Sequence, residues 1–328
     1  MKRLGIGLGI ASLSMVLASC TGSRTIETEY VDLAGETKEV TIEKTTDKEK
    51  VLDTLKVISK ADAPKVSATS MKNHVKLDLM GSMYSMGFKC YMDIALLTYW
   101  AFDNRLDMDY TMNMEIDGRS EKMNNRMILV GNYAYLNTNA LGRTTKMRMS
   151  TSSTEVKDLV NTLNEQAKEF DNIYKRSIKE FFDLSKVEVQ KYDSSYDAIV
   201  QNEAKILDFI EKANVEISSV TDNIYFKMTL TGDELLSAFN NTGSTLGEVS
   251  YVGLDDSLIY TIGYNTDTYL LSYVEMDCSN AKSLTSIVSE ASMSVNTFMI
   301  YCTYEYGDER VEEPSDKDSY VSYDSYLY

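Results

Sequence analysis

Residues 106–118 read LDMDYTMNMEIDG. Apolar side chains occupy every second position from Leu106 to Ile116, and Asp, Thr, Asn and Glu occupy the positions between them. Because successive side chains of a β-strand point to opposite faces, this pattern predicts a strand with one apolar and one hydrated face. Three of the six apolar residues are methionines. The face that they form therefore packs either against protein or against a bound apolar molecule.

The same period of two recurs on both sides of this strand. Residues 66–150 contain several alternating segments separated by short polar linkers, and a second group of such segments runs from about residue 223 to residue 307. Consecutive strands with short connections pair antiparallel, because parallel neighbours need a long crossover. The sequence therefore predicts two antiparallel meanders.

Between and before the meanders the apolar period changes to that of a helix. A first helix is predicted before Pro64, with Thr46 or Asp47 as its cap and with apolar residues at helical spacing. Further helices are predicted at 152–183, at 202–213 and directly after Thr231. This order predicts an α+β fold in which helices group against one face of an antiparallel sheet.

The first twenty residues predict export. Lys2 and Arg3 precede a short apolar run that ends in Leu17-Ala18-Ser19-Cys20. This ending resembles the bacterial lipobox, which implies a signal peptide at 1–19 and a lipid on Cys20. An uncleaved anchor with an incidental cysteine is the alternative. Residues 20–47 are then a flexible tether, and the protein is expected on the extracytoplasmic face of the cell membrane, held there by its lipid.

The remaining chain is acidic. Its share of apolar residues, 43% in the full sequence, is large enough to form a folded core. The formal charge is -17, and loss of Lys2 and Arg3 with the leader makes it -19. Such acidity disfavours nucleic acid as a partner. One domain is predicted at 48–314, followed by a Tyr-rich acidic tail at 315–328. The tail is expected to be loosely ordered, with an edge strand as the alternative.

The sequence does not predict a catalytic, metal or cofactor site. The chain has one histidine, His74, and a Cys-His pair with Cys90 is conceivable across neighbouring strands. A core cysteine and an exposed histidine explain the two residues more simply. Zinc, EF-hand and nucleotide motifs are absent from the sequence. Cys90, Cys278 and Cys302 allow one disulfide, and nothing selects its pair.

Three stretches resemble bacterial lipoproteins of the LolA/LolB type and the related mycobacterial lipid-binding lipoproteins, with a group of Gram-positive relatives. They are LASC at 17–20, MDYTMNMEIDG leading to MILVGNYAYLN, and MIYCTYEYGDERVEEP near the C-terminus. The resemblance implies a strongly curved antiparallel sheet, a half barrel, with helices on its concave face and an acyl chain or glycolipid between them. The helices at 152–183 and 202–213 and the Tyr-rich tail depart from that family.

The expected function is therefore to bind or carry a hydrophobic ligand, a lipid or an acyl chain, without catalysis. The alternative is a solid-cored envelope lipoprotein that binds other proteins, and a hydrolase using His74 or a carboxylate pair is a third hypothesis. The residues predicted to form the apolar binding face are Met108, Tyr110, Met112, Met114, Ile116, Phe226 and Met228.

Overall fold

The computed structural model describes most of the chain from residue 43 to residue 323. The described residues are 43–59, 68–83, 86–99, 105–140, 142–153, 156–157, 161, 178–188, 191–220, 222–241, 255–281 and 293–323.

These residues form one sheet of thirteen strands. The strands are β1 (Glu43–Thr45), β2 (Ser70–Met83), β3 (Met86–Tyr99), β4 (Arg105–Ile116), β5 (Arg119–Val130), β6 (Tyr133–Ala140), β7 (Arg143–Ser150), β8 (Glu216–Val220), β9 (Asn223–Thr231), β10 (Ser257–Asn265), β11 (Leu271–Asp277), β12 (Met293–Gly307) and β13 (Val321–Ser322).

The strand order joins the two predicted meanders into a single surface. It runs β1-β8-β9-β10-β11-β12-β2-β3-β4-β5-β6-β7-β13, so the last strand of the second meander pairs with the first strand of the first. All neighbours are antiparallel except β13, which lies parallel to β7. Strands β1 and β13 are the two edges, and the sheet is open. The antiparallel α+β architecture is confirmed, and residues 43–45, predicted as tether, belong to the sheet.

Five helices are described: α1 (Lys48–Ser59), α2 (Lys179–Ser185), α3 (Ser195–Gln201), α4 (Glu203–Lys212) and α5 (Gly232–Asn241). The predicted start of α1 is confirmed, since the Asp47 carboxylate accepts a hydrogen bond of 3.1 Å from the Glu49 backbone N–H. Helix α4 matches the segment predicted at 202–213, whereas α3 was not predicted. Most of the long helix predicted at 152–183 lies outside the described residues.

The helices cover one face of the sheet, which we call the inner face. Apolar residues of all five helices pack with inner-face residues of β2, β3 and β8–β12 in one large cluster, the main core. Its centre is fully buried: Leu55, Phe181, Ile206 and Phe226 have 0 or 1% of their surface exposed. Three aromatic rings meet there, because Phe226 lies 5.9 Å from both Phe181 and Tyr264, measured between ring centroids.

The opposite, outer face of the first meander is crossed by residues 308–323, which we call the C-terminal strap. Val311 and Tyr320 are buried there with Ile128, Val130 and Tyr135. The strap then pairs with β7 through Val321 and Ser322, which form the edge strand β13. The tail predicted from residue 315 is therefore docked as far as residue 323, and the edge-strand alternative is the one that the structure shows.

Candidate functional site

The inner face of eight adjacent strands carries no charge. Strand pairing places alternate residues of β8–β12 and β2–β4 on this face, and none of those described is Asp, Glu, Lys or Arg. The outer face of the same strands carries charges such as Lys76, Asp93 and Asp109. An uncharged surface of this width favours contact with uncharged groups over contact with ions.

Burial on the inner face falls from the main core towards the far ends of β2–β5. On β4, Leu106 is 3% exposed within a second buried cluster that includes Leu129 and Val156. The inner-face residues Met108, Tyr110, Met112 and Met114 are partly buried, and Ile116 is 37% exposed. We call the partly exposed inner-face region the methionine face. Its residues are Leu77, Leu79, Phe88, Cys90, Met92, Met112, Met114, Ile116 and Met123.

The structure divides the seven residues predicted as a binding face. Met108 and Tyr110 lie at the border of the main core, and Met112, Met114 and Ile116 belong to the methionine face. Phe226 and Met228 are on the same side of the sheet but are 0% exposed inside the main core. Those two side chains already pack against protein and offer no surface to a ligand.

A row of polar side chains crosses the inner face beside these methionines. Tyr110 is paired with Asn125, Asn125 with Thr138, and Thr138 with Thr145, on four adjacent strands. We call these four residues the polar row. Sequence reasoning missed it, because alternation assigns a residue to a face but does not align it with residues of other strands.

Two members of the polar row have poor hydrogen-bond partners. The Asn125 Oδ1 atom is buried without a partner, and the Tyr110 hydroxyl donates to the Met112 sulfur at 3.2 Å. Burial raises the pKa of Tyr110, with a smaller contribution from Cys90, so this hydroxyl is a neutral donor near pH 7. A buried acceptor without a donor costs about 1–3 kcal/mol, which a polar ligand atom could recover.

Charges return at one margin of the inner face. Arg119, Glu121 and Arg143 lie on the inner-face side of β5 and β7 near the strand ends and are exposed. Positive and negative side chains therefore border the methionine face on this side. They leave its centre uncharged.

The Cys-His pair considered from the sequence does not form. His74 pairs with Ala95 on the outer face, whereas Cys90 pairs with Leu79 on the inner face. Burial is the larger cause that raises the pKa of the Cys90 thiol, which disfavours the nucleophilic thiolate. His74 Nε2 instead contacts the Asp93 carboxylate, which also accepts a hydrogen bond of 3.3 Å from the Tyr91 hydroxyl. Burial, followed by the charge of Asp93, raises the pKa of Tyr91 to about 12.

Among the described residues, Cys90, Cys278 and Cys302 are thiols, and no group of three His, Cys, Asp or Glu residues could hold a metal ion. None of the described helices combines the length and apolar character that crossing a membrane requires. Cys20, predicted to carry a lipid, lies outside the described residues.

Comparisons with models of protein families, with curated proteins and with solved structures find no match to this chain. Its function is therefore inferred from the inner face itself.

Proposed function

We propose that this protein is a lipoprotein anchored to the extracytoplasmic face of a bacterial membrane that binds a lipid or acyl chain without catalysis. The observation that supports the proposal is the methionine face, an uncharged apolar surface that the described helices leave partly exposed. In this proposal the sheet curves as a half barrel, and the ligand lies against β2–β5 beside the helices, as in the LolA/LolB-type proteins that the sequence resembles.

The chemistry of the methionine face fits an apolar ligand of variable shape. Methionine is unbranched and polarisable, so its side chain adapts to irregular contours. Each partly exposed side chain that a ligand covers completely would contribute roughly 0.5–1 kcal/mol of binding free energy, because full burial of Met or Leu is worth about 1.5–3 kcal/mol. The stretch from Tyr110 to Ile116 is about 20 Å long at 3.4 Å per residue, a suitable length for an acyl chain.

A charge placed on the methionine face tests the proposal. Met114→Asp would put a carboxylate where the ligand packs, and Asn113→Asp adds the same charge to the opposite face of the same strand. We expect the affinity for diphenylhexatriene, an uncharged hydrocarbon fluorophore, to fall at least about tenfold in Met114→Asp and to stay unchanged in Asn113→Asp. Equal affinities of the two variants would contradict binding at this face.

Native mass spectrometry of the full chain purified from a bacterial host provides an independent test. We expect a bound lipid that is retained in Asn113→Asp and lost in Met114→Asp. A wild-type protein without bound lipid that also fails to take up the fluorophore would exclude the carrier function.

The anchor is tested separately at Cys20. Lipidation predicts that the mature chain begins at Cys20, has the added mass of a diacylglyceryl group and partitions with membranes. Cys20→Ala should abolish the added mass. If the leader is then cleaved at another site, the protein is released from the membrane. If it is not cleaved, residues 1–19 stay attached. An unmodified wild-type cysteine would contradict the anchor.

A protein-interaction module is the second candidate function. The packed region under the helices supports this candidate, because Phe226 and Met228 are fully buried, as expected for a solid core. Crosslinking in cells should then recover a protein partner whose capture is lost on deletion of residues 315–328. Retention of that partner by the deletion variant would argue against the module as proposed.

A further inference from the structure

The polar row is continuous across four strands. Its members are Tyr110 on β4, Asn125 on β5, Thr138 on β6 and Thr145 on β7, each paired with the next. Neighbouring strands lie about 4.8 Å apart, so the row extends for about 14 Å across the direction of the strands. All four side chains are partly buried.

Apolar residues flank the polar row on both sides. Met108 and Met127, with Leu136 and Met147, form the neighbouring row on one side. On the other side Met112, Met123 and Ala140 are paired in turn, and this row ends at the exposed Arg143 on β7. A ligand that lies along the methionine face therefore meets one line of hydrogen-bonding groups where it reaches the polar row.

Cross-strand threonine pairs stabilise sheets, and this alone would explain Thr138 with Thr145. It does not explain Tyr110 and Asn125. The Tyr110 hydroxyl donates to a weak sulfur acceptor, and the Asn125 Oδ1 atom has no partner. These two groups keep hydrogen-bonding capacity that their protein neighbours do not use.

The chemistry of the polar row favours an uncharged ligand group over a charged one. A phenol, an amide and two alcohols both donate and accept hydrogen bonds, and none of them is charged near pH 7. A carboxylate or phosphate beside Tyr110 and Asn125 would have no adjacent counterion on the described strands, whose nearest inner-face cations are the exposed Arg119 and Arg143 at the strand ends.

We propose that the ligand of the methionine face is an acylated molecule with an uncharged head group bearing hydroxyl or amide groups, and that the polar row binds this head group. The inference rests on the proposed function, since it assigns the polar end of the same ligand. The acyl chain extends from Tyr110 along β4 towards Ile116. The head group donates to and accepts from Tyr110, Asn125 and Thr138.

The test compares three probes on the full chain. 1-Monooleoylglycerol has an uncharged dihydroxy head, oleate has the same chain with a carboxylate, and diphenylhexatriene has no head. We expect the wild-type protein to bind monooleoylglycerol more tightly than oleate at pH 7. Asn125→Leu should weaken monooleoylglycerol about tenfold and leave diphenylhexatriene unchanged, because it removes hydrogen bonding and keeps apolar contact.

Matched variants separate a binding role from a structural one. Asn124→Leu, on the outer face of the same strand, should leave the affinity for monooleoylglycerol unchanged. Thr138→Val is nearly isosteric and provides a second variant of the polar row if Asn125→Leu does not fold. It should weaken monooleoylglycerol selectively.

Three results would overturn the inference while leaving the proposed function intact. They are equal loss of monooleoylglycerol and diphenylhexatriene in the variants of the polar row, no loss of either, and preferred binding of oleate that Arg143→Gln abolishes. Failure of the wild-type protein to bind any of the three probes would instead refute the proposed function.

Discussion

The C-terminal strap makes a stability prediction that can be worked from its contacts. Tyr320 is 7% exposed, and its ring meets the Tyr135 ring edge to face at 5.3 Å between centroids. The Lys146 ammonium lies 5.7 Å from the centre of the Tyr320 ring. Truncation to alanine removes these contacts and exposes the apolar residues below.

We expect Tyr320→Ala to lower the free energy of unfolding by about 3 kcal/mol. Buried aromatic residues lose about 3–5 kcal/mol on truncation to alanine, and a strap at the surface relaxes more than a core does, which favours the lower value. With a slope of about 3 kcal/mol per molar urea, the midpoint of urea unfolding would fall by about 1 M. Hydrogen exchange should show faster opening of residues 308–323 than of β2–β5.

Two control variants separate the loss of the Tyr320 ring from other effects of substitution in the strap. Tyr320→Phe keeps the ring and should change the free energy of unfolding by less than about 1 kcal/mol. Asp318→Ala alters an exposed residue of the same segment and should be within about 0.5 kcal/mol of the wild type. The reasoning is refuted if Tyr320→Ala matches either control, or if exchange in the strap is already as fast as in an unfolded chain.

Phe226→Ala should lower the free energy of unfolding by about 3–5 kcal/mol in urea titrations, because its fully buried ring also contacts two aromatic rings; a loss under 1 kcal/mol would contradict a solid core. The raised pKa of Tyr91, about 12 against an ordinary 10.0, means that the folded state holds this proton more tightly. Its contribution to stability is complete below pH 10 and is lost as pH rises through 12, so Tyr91→Phe should flatten that decline. Asp93→Asn should lower the Tyr91 pKa, measured by NMR, without restoring 10.0, since burial is the larger cause. A hydrogen bond from Lys146 lowers the pKa of Asp316 below its ordinary 3.8, so its contribution is present above pH 3.8 and is lost as pH falls through the lower value. Lys146→Met should raise the pKa of Asp316 in carboxyl NMR titrations, and an unchanged value would show that the ion pair is absent.

Periodicity predicted the individual elements well. The alternation of 106–116 is strand β4, and the helical spacing before Pro64 is α1. These predictions depend on which side of one element is apolar, and that information is local to a few residues. The antiparallel meanders followed from short connections in the same way.

The contacts between distant segments could not be predicted from periodicity. The pairing of β12 with β2 joins residues more than two hundred positions apart, and no local pattern encodes such a partner. The docking of Val311 and Tyr320 depends on a complementary apolar site on the outer face, which exists only after β3, β5 and β6 are aligned. The polar row required the same alignment, since its four residues come from four strands whose registers the sequence does not specify.

The distribution of methionine over the sheet separates the two leading functions. On the inner face of β8–β11, which the helices bury, the residues are mainly Ile, Leu, Phe, Tyr and Val, with Met228 and Met276 as the methionines. On the inner face of β2–β5 methionine is frequent, and it is most frequent where the side chains are partly exposed. If methionine served only to fill gaps in a core, it should be concentrated under the helices, where packing is densest. Met92 and Met108 pack against the main core, whereas Met112, Met114 and Met123 lie beyond it. Methionines in this position suit a surface that adapts to an apolar ligand, and they support the proposed carrier over the solid-cored module.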